Sequence, residues 1–308
     1  MVSRQYEVAL NILHAELDIE PVTISRFTTG YCHSVYHVKT ETDECVLRIT
    51  SKENKDFYFG SIKWLPKLYQ LNIPVPKILK YGPYEDVYYA FMTYIDGKDL
   101  GDVYHALTET QKQDIIKDLF DVQKKVSTLP SIKKYGYEDY SFGTWIEYLE
   151  SLIERSRKRI AQNNIFDTDV CEKVSFVIRM FQEYLLNVEP LAFLDDITTK
   201  NVLIHEGKLV GIVDVDAICY GDSLLTIGLT NMALLAMNTD TKYIDFWLDE
   251  LKASSIQRKI VEFYTLLFCI DFMGEQGMRF DNGKIIPVKQ EMAELLNSIY
   301  HALLGNLC

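Results

Sequence analysis

Three oxygen-bearing side chains stand out by type and spacing: Asp196, Asn201 five residues later, and Asp214 thirteen residues beyond that, within LAFLDDITTKNVLIHEGKLVGIVDVDAICYGD (191–222). A carboxylate able to take a hydroxyl proton, followed by an amide oxygen and a second carboxylate suited to a hard divalent cation, is equipment for phosphoryl transfer. That chemistry aligns a hydroxyl with phosphorus and neutralises the phosphate chain. Asp195 is a neighbouring alternative base, but the count of five to Asn201 favours Asp196. Single Asp and Asn residues in loops more often cap helices or build turns. The conjunction carries the reading: Val202 to His205 and Leu209 to Val213 are apolar β-type runs across Glu206-Gly207-Lys208, then Asp214 follows Gly-Ile-Val, then a Tyr-Gly-Asp turn.

The loop, the strand-turn-strand and the closing Asp together resemble the aminoglycoside phosphotransferase and choline kinase-like family of small-molecule kinases. The resemblance implies an α+β, bilobal protein kinase-like fold, with an antiparallel-sheet N-lobe and a mainly helical C-lobe. It implies Asp196 as catalytic base, Asn201 and Asp214 as metal ligands, Mg²⁺ as the metal, and ATP or GTP as co-substrate. Two departures from the family's habit stand in the sequence: Leu194 where a His two residues before the base is usual, and Thr226 where a further Asp is often found.

Elements that must position the trio are visible upstream. Val22 to Phe27 and Val35 to Val38 are β-type runs around Thr28-Thr29-Gly30-Tyr31-Cys32-His33-Ser34. In the family such a hairpin lies over the phosphates, which places Gly30, His33 and Ser34 among the nucleotide contacts. The next strand, Val46-Leu47-Arg48-Ile49, carries a cation where the resemblance implies a phosphate clamp, and a guanidinium can hold phosphate oxygens in a bidentate fork. An acid should orient it from the helix that follows, KENKDFYFGSIKWLPKLYQL. That segment offers Glu53 and Asp56 near its start and is interrupted by Pro66, so Asp56 is the expected support. Two strands, Lys77 to Tyr81 and Val87 to Tyr94, lead to Ile95-Asp96-Gly97, a hinge between lobes in which the resemblance places Met92, Thr93 and Ile95 around the base of the nucleotide. The division expected is therefore 1–94 as a five-stranded sheet with a helix, and 95–308 as a helical lobe.

Beyond residue 98 the pattern is predominantly helical. Thr108-Glu109-Thr110-Gln111 is a capping box before Ile115, Ile116, Leu119, Phe120, Val122 and Val126 at helical spacing. Helices are also expected over Trp145 to Ile160, with a surface pair Glu154 to Lys158 and a solvated run Arg155, Arg157, Lys158, Arg159, and over Val174 to Leu186. Four more follow: Ser223 to Ala236, Tyr243 to Leu251, Ile256 to Met273 and Val288 to Leu304. Ala217 to Asp222 reads as a turn; Asp216 just before it could assist the metal, and Asp222 caps the next helix.

With 48% hydrophobic residues the 308-residue chain can bury a large core, and no segment approaches about eighteen unbroken apolar residues, which argues against a membrane span. The N-terminus has no signal-peptide character, so a cytoplasmic location is expected. Six scattered cysteines and six histidines form no metal-spaced or disulfide pattern. A net charge of −12 disfavours nucleic acid and anionic membranes as partners and is compatible with a cationic acceptor. The expected partner is a hydroxylated small molecule, with an aminoglycoside-like antibiotic, a choline-like amine, a sugar or an amino acid all open; monomer and homodimer are open as well. Asp271, Glu275 and Asp281 are acids placed to contribute to its pocket.

Overall fold

The computed structural model describes residues 4–27, 33–279 and 285–308. Contacts divide them into two compact units, one within residues 1–97 and 210–217, the other within 98–209, 218–279 and 285–308. Residues 210–217, expected in the second lobe, belong with the first; the backbone N–H of Ile212 donates to Pro74 O at 2.7 Å.

In the first unit, helix α1 (Arg4–Leu17) precedes β1 (Thr23–Arg26), β2 (Ser34–Lys39) and β3 (Glu44–Ser51); helix α2 (Lys55–Gln70) then leads to β4 (Ile78–Tyr84) and β5 (Val87–Thr93). The strands form one antiparallel sheet ordered β1-β2-β3-β5-β4. Period-two alternation puts Leu47 and Ile49 on the face covered by Ala9, Ile12 and Leu13 of α1, with Tyr36, Val38, Tyr89 and Phe91 completing that core. Arg48 and Thr50 therefore point to the opposite face. Helix α2 runs through Pro66 without interruption, contrary to expectation. A helix-interior proline costs about 3 kcal/mol, and the burial of Tyr58, Trp64, Leu65 and Leu68 on one stripe outweighs it. The helix stops instead at Asn72, whose left-handed backbone (φ 55°) lets Ile73 N–H return to Leu68 O at 3.1 Å.

The second unit begins with β6 (Lys98–Asp99) and α3 (Leu100–Val103), then α4 (Glu109–Val126), which opens on the expected Thr108 capping box. Two short strands, β7 (Tyr135–Tyr137) and β8 (Tyr140–Phe142), precede α5 (Trp145–Asn163). The expected helix over 174–186 is two helices, α6 (Asp169–Met180) and α7 (Gln182–Leu186), separated at Phe181. Next come β9 (Leu191–Phe193), β10 (Val202–His205), β11 (Lys208–Ile212), whose residues from 210 on belong to the first unit, and β12 (Cys219–Gly221), then α8 (Leu224–Ala236), α9 (Lys242–Glu250), α10 (Ser255–Glu275) and α11 (Gln290–Leu307). Helix α10 is buried around most of its circumference and packs on α5, α8 and α11. The segment 217–222, expected as a turn, contains a strand: β12 pairs with both β7 and β9 in a sheet ordered β8-β7-β12-β9. Asp222 does cap α8, accepting from Leu224 N–H at 3.0 Å. Cys45, Cys171, Cys219 and Cys269 are buried free thiols and Cys308 is exposed. No helix among the described residues is long and apolar enough to cross a membrane.

Candidate active site: a catalytic loop and a charge cluster

Strand β9 delivers the loop that carries Asp196. At its end, the Gln123 side chain from α4 clasps the Leu194 backbone from both sides: Leu194 N–H donates to Oε1 at 2.9 Å, and Nε2 donates to Leu194 O at 2.7 Å. The hydroxyl of fully buried Thr226, on α8, donates to the same carbonyl at 2.8 Å. The two positions that depart from the family's habit are therefore in contact: Thr226 bonds Leu194's backbone, while the Leu194 side chain is buried. Asp195 turns inward and accepts from the Tyr137 hydroxyl; burial raises its carboxyl above the usual range despite that bond. Asp196 turns outward and is exposed. Between the two carboxylates, the geometry favours Asp196 as the one a substrate hydroxyl can reach.

The rest of the loop is fixed by main-chain anchors. Thr199 O accepts from Gly101 N–H at 2.7 Å, and Asn201 N–H donates to Asp99 Oδ1 at 3.2 Å. Strand β10 then pairs with β6, Leu203 opposite Asp99. Asn201 adopts a left-handed backbone (φ 68°) and donates from Nδ2 to Asp196 Oδ2 at 3.0 Å and Asp196 O at 3.1 Å. That leaves its Oδ1 as the atom able to meet a cation. At the β10–β11 turn both Glu206 (φ 48°) and Gly207 (φ 77°) are left-handed, the geometry of a tight hairpin.

The first unit holds the charge cluster. Asp214 is left-handed (φ 59°) with its side chain 49% exposed, whereas the side chain of Asp216, two residues on, is only 14% exposed. Arg48 Nη2 lies 2.5 Å from Asp216 Oδ2, 3.7 Å from Asp214 Oδ1, and against His33 Nε2. His33 sits 3.3 Å from Asp216 Oδ2 through Nε2 and 3.1 Å from Thr50 Oγ1 through Nδ1. Burial alone would raise the Asp216 carboxyl, but Arg48 and His33 outweigh it and hold it below the ordinary carboxylate range. Asp56, the acid expected to support Arg48, is exposed in the first turn of α2, and Asp216 stands at Arg48 instead. Ser34 is buried and accepts from Arg26 Nη2 at 3.3 Å. Gly30 lies outside the described residues, as do Cys32 and Asp281.

Around the expected hinge, Met92 is buried in β5, Thr93 donates its N–H to Lys77 O at 3.0 Å and accepts from Lys77 N–H through Oγ1 at 2.9 Å, and Ile95 packs over Gly211. Of the two described acids assigned to the acceptor, Asp271 is not open to one. It is an ion-pair partner of Arg155 Nη2 (3.1 Å) and Arg159 Nη1 (3.0 Å), with a third bond from Ser156. Those arginines are consequently not the merely solvated face expected from the sequence, although the Glu154–Lys158 pair of that helix is present at 3.8 Å. Glu275, one turn further along α10, is partly buried. Burial and the negative charge of Asp271 push its carboxyl up to about 7, against the opposing pull of Arg159, Arg155 and loop residue Lys200.

The two carboxylates, not the imidazole, are the donors suited to a hard divalent cation. Ligand atoms of His33, Asp214 and Asp216 lie within 4.8 Å of one another, and Asp216 Oδ1 is buried with no hydrogen-bond partner among the described residues. Gln123 and Tyr137 hold this loop although the sequence did not single them out, and Thr226 was marked there only as a departure from the family's habit. Of the first two, Gln123 left a trace: it stands four residues after Leu119, beside the buried stripe of α4, where a polar residue needs a partner.

A family profile described as "Phosphotransferase enzyme family" matches residues 23–243. Among solved structures, the chain is similar to a GDP complex of a variant of aminoglycoside 2′-phosphotransferase IIIa (TM-score 0.73, 15% identity, 98% of this chain and 99% of that one). It is also similar to a putative fructosamine-3-kinase from Haemophilus somnus 129PT (TM-score 0.68, 10% identity, 97% of each chain). A third is a thermostable variant of aminoglycoside phosphotransferase APH(4)-Ia in ternary complex with AMP-PNP and hygromycin B (TM-score 0.65, 15% identity, 96% and 97%). No curated protein matches the sequence. At these identities the structural likenesses speak for the fold, a protein kinase-like one, and with the profile match over most of its length the chain belongs to the phosphotransferase enzyme family.

Proposed function

We propose that this chain is a nucleotide- and Mg²⁺-dependent O-phosphotransferase that moves the γ-phosphoryl group of ATP or GTP to a hydroxyl of a small molecule. The observation that carries the reading is Asp196: an exposed carboxylate oriented by Asn201, on a loop anchored at Leu194, Thr199 and Asn201. In the reaction, Asp196 accepts the acceptor's hydroxyl proton as the new oxygen–phosphorus bond forms and the bond from γ-phosphorus to the β-phosphate oxygen breaks. Asn201 holds the carboxylate in place; Arg48 binds phosphate oxygens. Asn201, through Oδ1, and Asp214, through its carboxylate, are each assigned to Mg²⁺, which when bound would neutralise phosphate charge. The hairpin residues Gly30, His33 and Ser34 and the stretch Met92 to Ile95 are assigned to the nucleotide, Glu275 to the acceptor side, and the location to the cytoplasm. A cationic hydroxylated acceptor, an aminoglycoside-like antibiotic among them, suits the net charge of −12.

The test is nucleoside diphosphate release from ATP and GTP against a panel of aminoglycosides, choline-like amines, sugars and hydroxy amino acids. Asp196→Asn should lower turnover by at least about a hundredfold while nucleotide still raises the unfolding temperature. Turnover that survives the substitution refutes the base assignment. A Mg²⁺-nucleotide stabilisation with no turnover on any acceptor would leave a nucleotide-binding regulator as the better reading.

A further inference from the structure

We propose that Asp216 is the acid that orients Arg48 toward the nucleotide phosphates, a positioning role that helix α2 cannot fill in this chain; the proposal rests on the phosphotransferase reading. The side chains of Arg48 and Asp216 are only 5% and 14% exposed, and they meet at 2.5 Å. Asp214 reaches the same nitrogen from 3.7 Å with a half-exposed side chain, so its carboxylate is largely committed to solvent or to a cation. A guanidinium this buried requires a counter-charge, because an unpaired one would be prohibitively costly to desolvate. The pairing at Nη2 tethers the tip of the side chain and removes most of the rotamers an unanchored Arg would sample.

Helix α2 is closed to this role by its own packing. Its buried residues are Tyr58, Ser61, Trp64, Leu65 and Leu68, none of them acidic, and Glu53 and Asp56 at its approach are exposed. Where α2 passes the cluster it presents Gly60, and a Cβ there would stand 1.8 Å from the carbonyl oxygen of Asp216. The helix comes so close to the backbone of Asp216 that no side chain, acidic or otherwise, fits between them. The missing helix acid and the bare glycine are thus one adaptation: α2 supports the backbone of the residue that supplies the carboxylate. His33, anchored by Thr50, meets Asp216 Oδ2 from another side at 3.3 Å and limits its swing.

The competing role for Asp216 is that of a cation ligand alone, and a double-mutant cycle on the full-length protein separates the two. Binding of Mg²⁺-ATP and Mg²⁺-GTP is measured by calorimetry without acceptor, for wild type, Asp216→Asn, Asp216→Glu, Arg48→Met and Arg48→Met/Asp216→Asn, each at two Mg²⁺ concentrations. The expected result is about a tenfold or greater loss for Asp216→Asn that raising Mg²⁺ does not restore, partial recovery in Asp216→Glu, and little further loss from Asp216→Asn in the Arg48→Met background. Should Asp216→Asn alone fail to fold, the double variant removes both charges; its recovered folding together with nucleotide affinity equal to that of Arg48→Met supports the pairing. A loss that Mg²⁺ restores, or one that persists undiminished in the Arg48→Met background, overturns the proposal. Failure of the wild-type protein to bind either nucleotide removes the parent reading itself, an outcome distinct from nucleotide binding without coupling.

Discussion

Replacing Gln123 by leucine would ask directly whether the catalytic loop is held by this side chain. The substitution keeps the approximate volume and removes two hydrogen bonds, of 2.9 and 2.7 Å, to a residue that is 2% exposed. Leu194 O keeps the Thr226 hydroxyl at 2.8 Å, so the loss on that side is about 0.5–1.5 kcal/mol. Leu194 N–H loses its bond to Gln123 and becomes a buried unsatisfied donor, at about 1–3 kcal/mol. Together these give about 2–4 kcal/mol, or roughly 3–6 °C in unfolding temperature for a chain of this size. Since Leu194 lies two residues before Asp196, the loosened loop should also lower kcat by about ten- to a hundredfold, with nucleotide KM nearly unchanged. Thermal unfolding by circular dichroism, paired with diphosphate release at saturating substrates, reads both quantities. Gln123→Glu retains an acceptor for the Leu194 N–H and should recover part of the loss. An unfolding temperature and a kcat both equal to wild type would refute the clasp.

Three further outcomes are expected. Asp271→Asn leaves Arg155 and Arg159 without their carboxylate and should destabilise the fold by about 1–3 kcal/mol in chemical denaturation, with no selective change in acceptor KM; a selective rise in that KM would return Asp271 to the acceptor site. Glu275 has a folded-state pKa raised to about 7 from 4.5, so the stability associated with its protonation is fully present below pH 4.5 and is lost as pH rises toward and through 7. Glu275→Gln should accordingly flatten the decline in unfolding temperature between about pH 4.5 and 8, and an unchanged profile would show that this carboxyl does not drive it. Gly60→Ala places a methyl group 1.8 Å from the Asp216 carbonyl and should cost about 1–3 kcal/mol or more in denaturant unfolding, whereas an ordinary exposed helix glycine gains from the same change.

What could be read from the sequence was whatever is local and periodic. The capping box at Thr108 and the stripe from Ile115 to Val126 specify α4 from neighbouring residues alone, and the fixed count from Asp196 to Asn201 survives because one short loop contains both. The strands β7, β8, β9 and β12 are three residues each, too short to show alternation; β7 and β8 form a local hairpin, and β12 exists because it pairs with β7 and β9 across long stretches of chain. The acid beside Arg48 was sought on the following helix by resemblance; spacing says nothing of a partner 168 residues away. Asp271 was assigned to an acceptor for the same reason, since the two arginines that occupy it lie more than a hundred residues earlier. Pro66 misled in the other direction, because a local penalty was weighed without the tertiary burial that overrides it.

The left-handed backbone at Asn201 and Asp214 has a consequence for how these positions should be dissected. Asn and Asp tolerate that conformation better than most residues with a side chain, while alanine is strained there by about 1–2 kcal/mol. An alanine scan would therefore mix a conformational penalty into what is meant to be a measure of the lost side-chain oxygens, lowering the folding equilibrium constant by roughly a factor of five to thirty through backbone strain alone. Exchanges within the pair of residue types, Asn201→Asp and Asp214→Asn, alter charge at nearly constant backbone cost, and glycine is the reference that deletes the side chain without bending the chain against its preference.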